Sequence, residues 1–102
     1  MEITRYKIEY LTYVLKEDLS KLDSNLKKII KRKLDRLISE PFLGIALKKE
    51  LIGYYKLKVS KYRIVYRIFK EELVILIVSI GKREKSMAYR EALKRVGLKR
   101  IK

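Results

Sequence analysis

The sequence predicts an α+β domain in which a small antiparallel sheet of about four strands carries two N-terminal helices and one C-terminal helix. Three observations predict this class. The apolar pattern has a period of two near the N-terminus and again from residue 54 onward. Between these stretches the period is helical. A chain of 102 residues has the length of one domain. We therefore expect the order β-α-α-β-β-β-α within a single domain, residues 1–102.

The N-terminal half predicts one strand followed by two helices. Residues 5–10 alternate between apolar and charged side chains, which is typical of a half-buried strand. Thr12 is a plausible N-cap for a short helix over residues 13–22. Ser24 is a plausible N-cap for a second helix with an apolar stripe at helical spacing. Pro41 predicts that this second helix ends at about residue 39 or 40.

The C-terminal half predicts three consecutive strands. Residues 42–53 form a connecting segment, and residues 55–59 then alternate with a period of two. Residues 60 and 61 have the length of a hairpin turn before a strand over residues 62–69. The continuous apolar run at residues 73–80 is typical of a strand covered on both faces, so we expect it inside the sheet.

A last helix is predicted after the glycine and charged residues at positions 81–85. Ser86 is its plausible N-cap. Its predicted apolar face consists of Tyr89, Ala92, Leu93 and Val96.

The composition excludes several classes of site. The chain contains no Cys and no His, which removes disulfides, thiol nucleophiles, imidazole catalysts and nearly every zinc site. We therefore expect no metal and no cofactor. The longest apolar run is too short to cross a bilayer, and residues 1–5 lead into a polar stretch instead of a signal-peptide core. These features predict a cytoplasmic protein without a membrane partner.

Positive charge is concentrated in the second half of the chain. Residues 1–53 have a net charge of +4 (12 basic, 8 acidic), and residues 54–102 have +11 (15 basic, 4 acidic). Residues 54–70 contain six basic side chains, four tyrosines and no acid. Basic and aromatic residues in this mixture suit phosphate contact together with base stacking, so RNA or DNA is the natural partner. The alternative is a solvated lysine-rich surface, which is common on edge strands.

Four short motifs in order connect the sequence to a known family. They are Tyr-Lys-x-Lys at residues 55–58, Tyr-Arg-x-x-Tyr at 62–66, Gly-Lys-Arg-Glu at 81–84, and Tyr89. In this order the motifs resemble RelE toxins of the RelE/ParE toxin-antitoxin superfamily. The resemblance implies a RelE-like fold and a type II toxin that cleaves mRNA in the ribosomal A site. It also implies the 70S-type ribosome, with its rRNA, and mRNA as targets, and a cognate RelB-like antitoxin as the inhibiting partner.

The resemblance also implies which residues carry function. The catalytic residues of the family fall on Lys56, Lys58, Arg63, Arg83 and Tyr89. Further contacts to rRNA or mRNA are expected from other basic residues of the strands, turns, connecting segment and second helix, namely Lys48, Lys61, Arg67, Lys82, Lys28, Lys31 and Arg32.

These residue types fit RNA cleavage through the 2′-hydroxyl. The reaction needs a proton acceptor for that hydroxyl, positive charge at the phosphorane, and a proton for the departing 5′ oxygen. Lys56 and Lys58 are two residues apart on a strand and therefore share a face. Nearby arginines favour the neutral, proton-accepting form of an amine. The guanidinium of Arg63 can donate two hydrogen bonds to a phosphate, and the resemblance implies a general acid role for Arg83. Tyr89 would orient or stack on a base.

Two other functions remain open at the level of sequence. A ParE-like protein would inhibit gyrase through protein contacts and would have no RNA chemistry. A non-enzymatic RNA-binding module would show salt-sensitive binding without cleavage.

Overall fold

The chain forms a five-stranded sheet, seen in a computed structural model that describes residues 5–84 and 87–95. Within these ranges the strand order is β1-β5-β4-β3-β2. The strands are β1 (Lys7–Tyr10), β2 (Ile45–Ala46), β3 (Tyr54–Val59), β4 (Tyr62–Phe69) and β5 (Val74–Lys82). Consecutive strands β3, β4 and β5 are antiparallel neighbours, so the predicted three-strand unit is confirmed.

Helical segments connect and cover this sheet. The two α-helices are α1 (Ser24–Leu37) and α2 (Met87–Arg95), and a short 3-10 turn spans Lys49–Leu51. The first helical segment consists of a wide π-type turn, Val14–Asp18, followed by a 3-10 turn, Leu19–Lys21. None of the helices in the described ranges is long and apolar enough to cross a membrane.

The predicted α+β class is confirmed, and two details of the sheet differ. β1 pairs with β5 in parallel, so the sheet is mixed and not wholly antiparallel. β1 and β5 are far apart in the chain, with helical segments and the strands β2, β3 and β4 between them, and such a long connection permits a parallel pair. The second difference is β2, which adds a fifth strand of two residues from the segment predicted as a connection.

The first helix differs from its prediction. Thr12 does not act as its cap, and no side chain provides a cap hydrogen bond at Tyr13, where the wide turn begins. The wider turn places both Val14 and Asp18 in the interior. α1 forms as expected, but its N-cap is Asp23, whose carboxylate accepts a 2.8 Å hydrogen bond from a backbone amide. The predicted cap, one residue later, is already the first residue of α1.

The buried face of α2 is narrower than predicted. Ala88, Ala92 and Arg95 are buried, whereas Leu93 is 47% exposed. Small side chains allow the helix to approach the sheet closely, since a Cβ at Gly81 would lie 2.8 Å from the backbone nitrogen of Ala88. Larger residues at these positions would hold α2 away from β5. The predicted cap Ser86 and the predicted apolar Val96 lie outside the described residues.

A buried tyrosine fixes the loop that leads into β2. The Tyr66 hydroxyl accepts a hydrogen bond from the Gly44 amide and donates one to the Pro41 carbonyl, both at 2.9 Å. Gly44 has no space for a side chain, because a Cβ there would collide with the carbonyl oxygen of Lys56. This contact holds the loop against β3 and β4.

We expect Tyr66→Phe to lower the free energy of unfolding by about 1–3 kcal/mol, because two part-buried hydrogen bonds, from the Gly44 amide and to the Pro41 carbonyl, are lost. Urea unfolding measures the change, and Tyr13→Phe is the control because that ring is half exposed.

Burial raises the pKa of Tyr66 above its ordinary value of 10.0. The stability from the neutral phenol is thus fully present below pH 10 and lost as pH rises through the raised pKa. An equal pH dependence of the free energy of unfolding in Tyr66→Phe would contradict this assignment to Tyr66.

Candidate functional site

The site lies on the sheet face that α2 covers in part. Opposed residues of antiparallel strands share a face. Lys58 is opposite Arg63, and Arg63 is opposite Gly81 on β5. In the next row, Lys56 is opposite the buried Val65. Since α2 rests on Gly81, the predicted basic residues of β3 and β4 lie beside the helix on the same face.

Tyr89 of α2 brings two of these basic side chains together. The Arg63 guanidinium carbon lies 5.1 Å from the centre of the Tyr89 ring. The Lys56 ammonium nitrogen lies 5.8 Å from the same centre. Both distances fit cation–π contacts. One aromatic ring thus holds an amine and a guanidinium next to each other.

A cavity of about 560 Å³ adjoins this cluster, on the side formed by the β3–β4 turn and the end of β5. Its walls are Lys61, Tyr62, Arg63, Lys82, Arg83 and Glu84. The amide of Arg83 donates a 2.8 Å hydrogen bond to the carbonyl of Lys61. This bond continues the strand pairing past β5 and fixes the backbone of the two cavity walls. Arg63 therefore belongs to both the tyrosine cluster and the cavity.

The electrostatics of the cavity favour an anion. Four of its six lining residues are cations, and one, Glu84, is a carboxylate. The Nε atom of Arg63 is buried and has no hydrogen-bond partner among the described residues. A buried donor of a charged group is costly to leave unpaired. A phosphate oxygen would supply the missing acceptor.

The arrangement of Lys58 and Arg63 favours the binding of an anion and lowers the stability of the fold. They are directly opposite each other on neighbouring strands, and like charges in this position are destabilising. Lys58 is exposed and Arg63 half-buried, so the two cations reach the same solvent-accessible face. Their positive charges can be compensated when a polyanion binds between them.

The structure brings some of the other predicted RNA contacts to this site. Lys61 and Lys82 line the cavity. Arg67 lies further along β4, where its guanidinium stacks on the rings of Tyr54 and Phe69 at 5.5 Å and 4.8 Å. It is therefore not part of the cavity wall.

The predicted basic residues of α1 lie elsewhere. This helix packs against β3, whose buried Leu57 and Val59 alternate with the basic residues of the site and so face the opposite side. Lys31 forms a 3.5 Å ion pair with Asp35. The remaining predicted contacts, Lys28, Arg32 and Lys48, are exposed. A role for these residues in RNA binding stays a prediction.

A buried ion pair anchors α2, which carries Tyr89. Arg95 donates hydrogen bonds to the two oxygens of Asp18 at 2.8 Å and 3.2 Å. Asp18 also accepts a 2.9 Å hydrogen bond from the Ile80 amide, and Arg95 donates a 2.8 Å hydrogen bond to the Val78 carbonyl. Asp18 is 9% exposed and Arg95 6%. These two charged side chains thereby provide hydrogen-bond partners for backbone groups of β5 beyond the point where β1 pairs with it.

Burial alone would lower the pKa of Arg95, but the hydrogen bond and charge of Asp18 outweigh it, followed by the charges of Glu91 and Glu17. The net effect raises the pKa of Arg95, so the guanidinium stays charged. The Val78 carbonyl is available because this residue is an extra one in β5, at a bulge opposite Val65 and Tyr66.

The Asp18–Arg95 pair and the roles of Tyr62 and Glu84 in the cavity wall were not predicted from the sequence. The signal for the cavity was present, since Tyr62 and Glu84 belong to the motifs at residues 62–66 and 81–84. The ion pair joins positions 77 residues apart and leaves no local pattern.

The fold agrees with those of known proteins. Residues 10–87 match the family described as ParE toxin of the type II toxin-antitoxin system parDE. The mRNA interferase toxin RelE of Escherichia coli is 34% identical over 93 residues, which cover 89% of this chain and 97% of that protein.

Solved structures show the same relationship. A double arginine-to-alanine mutant of Escherichia coli RelE in the free state gives a TM-score of 0.75 at 31% identity, over 90% of this chain and 98% of that one. The toxin chain in the intact Escherichia coli RelBE toxin-antitoxin complex gives 0.68 at 28% identity, over 78% and 99%.

The mixed sheet, the cationic cavity at its end and the covering C-terminal helix define a small toxin of the type II toxin-antitoxin class. The chain belongs to the RelE/ParE toxin superfamily, and within it to the RelE toxins, as the sequence motifs implied.

Proposed function

We propose that this chain is an mRNA interferase that cleaves mRNA bound to the ribosome. One observation carries the proposal: the half-buried Arg63 guanidinium stands at the wall of a cationic cavity, and its Nε–H has no hydrogen-bond partner among the described residues. This donor lies beside Tyr89 and Lys56, which can contact a base and a hydroxyl. The sequence relative from Escherichia coli is itself described as an mRNA interferase.

The proposed reaction is attack of a ribose 2′-oxygen on the neighbouring phosphorus. The 2′-hydroxyl gives its proton to a neutral lysine amine, the O2′–P bond forms and the P–O5′ bond breaks. The departing 5′ oxygen takes up a proton, which leaves a 2′,3′-cyclic phosphate and a 5′-hydroxyl. The amines and guanidinium groups provide both the proton transfer and the positive charge, so the proposed mechanism needs no metal ion.

The geometry supports a division of roles among the five predicted catalytic residues. Lys56 and Lys58 are on the face that the 2′-hydroxyl would approach, and either amine can accept its proton. Arg63 donates to the phosphorane oxygens. Arg83, across the cavity from the strand, donates to the departing oxygen. Tyr89 contacts both Arg63 and Lys56 and offers its ring to a base of the substrate.

The proposed partners follow from the same site. Such amines and guanidinium groups have limited acid–base power, and a ribosome would hold the mRNA in line for attack. The basic surface suits rRNA contact with strong salt dependence. A RelB-like antitoxin is the proposed inhibitor, because RelE is found with RelB in a related solved complex. Ribosomes as the target place the proposed activity in the cytoplasm.

The test is primer extension on mRNA in translating ribosomes, with wild type, Arg83→Ala and Arg90→Ala side by side. Arg90 is the control, since it is exposed on α2 outside the cavity. We expect cuts from wild type and Arg90→Ala, and a loss of about 100-fold or more with Arg83→Ala. Free mRNA should be cut poorly by all three proteins.

Other outcomes would contradict the proposal. Wild type that binds RNA without cutting it would indicate a non-enzymatic RNA-binding module. Toxicity with DNA damage that persists in Arg83→Ala would indicate a gyrase inhibitor. Efficient cutting of free mRNA would indicate a nuclease that positions its own substrate.

A further inference from the structure

A second cavity, of about 390 Å³, lies next to the cationic cavity and shares two of its walls, Tyr62 and Lys82. It opens between the first helical segment, the end of β5 and the start of α2. Its volume is within the range of small-ligand sites. The catalytic roles proposed above do not use it.

The lining of this second cavity differs from that of the first. Its apolar part is formed by Leu22, Tyr62, Ile80 and Met87, of which Met87 is 45% exposed. Its polar part contains carboxylates, notably Glu17, in addition to lysines. With three carboxylates and two lysines, this lining has no excess of positive charge to attract an anion. An uncharged, flat group with hydrogen-bond donors fits both parts of the lining.

We infer that the second cavity binds one unpaired base of the RNA substrate and disfavours uracil. The inference deepens the proposed RNA cleavage and rests on it. If Arg63 and Arg83 hold the phosphate of one nucleotide, the adjacent nucleotide of the RNA would lie on the other side of the wall formed by Tyr62 and Lys82. Single-stranded RNA is commonly recognised in this way, by splayed bases that stack on aromatic rings and hydrogen-bond through their edges.

The carboxylate of Glu17 gives the site its chemical preference. Glu17 is 56% exposed and approaches the Arg95 guanidinium at 3.7 Å, which leaves acceptor capacity toward the cavity. A carboxylate accepts hydrogen bonds from exocyclic amino groups. Guanine offers its N1–H and N2–H₂ donors side by side, and adenine and cytosine offer one amino group each. Uracil offers a single N3–H donor between two carbonyl oxygens, and a carboxylate repels those oxygens.

The test uses the Met87 methyl group as a probe inside the cavity. The chain has two methionines, so a protein with ¹³C-labelled methionine methyls gives two signals. Pentauridylate and the same strand with a central guanosine are titrated into wild type, Glu17→Gln and Glu71→Gln. Glu71 is an exposed carboxylate in the turn before β5, and it is the charge-matched control.

We expect the guanosine strand to shift the Met87 signal of wild type and Glu71→Gln, and to bind about tenfold more tightly than pentauridylate. In Glu17→Gln this preference should disappear, because glutamine can also donate to uracil. Binding of both strands without any Met87 shift, or an unchanged preference in Glu17→Gln, would overturn the inference. The readout is independent of cleavage: a protein that shows the preference but does not cut RNA would contradict the proposed function alone.

Discussion

Arg63→Ala should reduce cleavage of ribosome-bound mRNA by about 100-fold to 1000-fold, the usual effect of removing one donor that stabilises transition-state charge. Arg63 is the residue that joins the Tyr89 cluster to the cavity, and its buried Nε–H has no partner among the described residues. Stability should be maintained or should rise, because the variant removes a like-charge contact with Lys58. Primer extension measures the first effect, and urea unfolding measures the second.

Arg67→Ala is the matched control for this experiment. Arg67 lies on the same strand and its loss changes the net charge equally, but it stacks on Tyr54 and Phe69 away from the cavity. Arg63→Lys should give an intermediate rate, since an ammonium keeps the charge and lacks the planar fork of the guanidinium. Equal losses for Arg63→Ala and Arg67→Ala would show that general charge, and not this position, governs cleavage.

Asp18→Ala should lower the free energy of unfolding by about 3–5 kcal/mol, as expected when one partner of a buried ion pair is removed. Among the described residues, the variant leaves Arg95 with Glu17 and Glu91 as its anionic partners, and it leaves the Ile80 amide without its acceptor. Hydrogen exchange should show α2 losing more protection than β4. Cleavage should fall as well, because α2 positions Tyr89.

The control for Asp18→Ala is Asp35→Ala, which breaks the exposed pair between Lys31 and Asp35 on α1. Such pairs contribute about 1 kcal/mol or less. If both variants lost the same small amount of stability, the buried pair would not be what anchors α2. A uniform loss of exchange protection through the sheet and α2 would show that the pair supports the whole fold instead.

The three-strand unit and the placement of the basic residues on one of its faces could be predicted because their signals are local. A period of two across residues 55–69 determines which side chains share a face, and hairpin connectivity then places Lys58 opposite Arg63. The continuous apolar run at residues 73–80 predicted a strand inside the sheet, and the strand that it forms, β5, lies between β1 and β4. The family motifs added Arg83 and Tyr89. The assignment of catalysis to these five residues stays a prediction.

The rest depends on interactions that sequence patterns do not reveal. Periodicity treats charged residues as exposed, so Asp18 and Arg95 gave no sign of their burial. Leucines at positions 15, 19 and 22 fit a regular helix, yet the wide turn leaves Leu15 53% exposed. Leu93 likewise fitted the predicted apolar face of α2. The contact of α2 with β5 is close at Ala88, but it does not extend as far as Leu93.

The two partners of the buried ion pair are made at different times during translation. Its two partners are 77 residues apart, so at about 5–20 residues per second Arg95 is made roughly 4–15 s after Asp18. Tyr89 is made only near the end of that interval, and until Arg95 is made the edge of β5 has no guanidinium to pair with Asp18. The growing chain therefore lacks Tyr89, one residue of the proposed site, until nearly all of the described residues have been made.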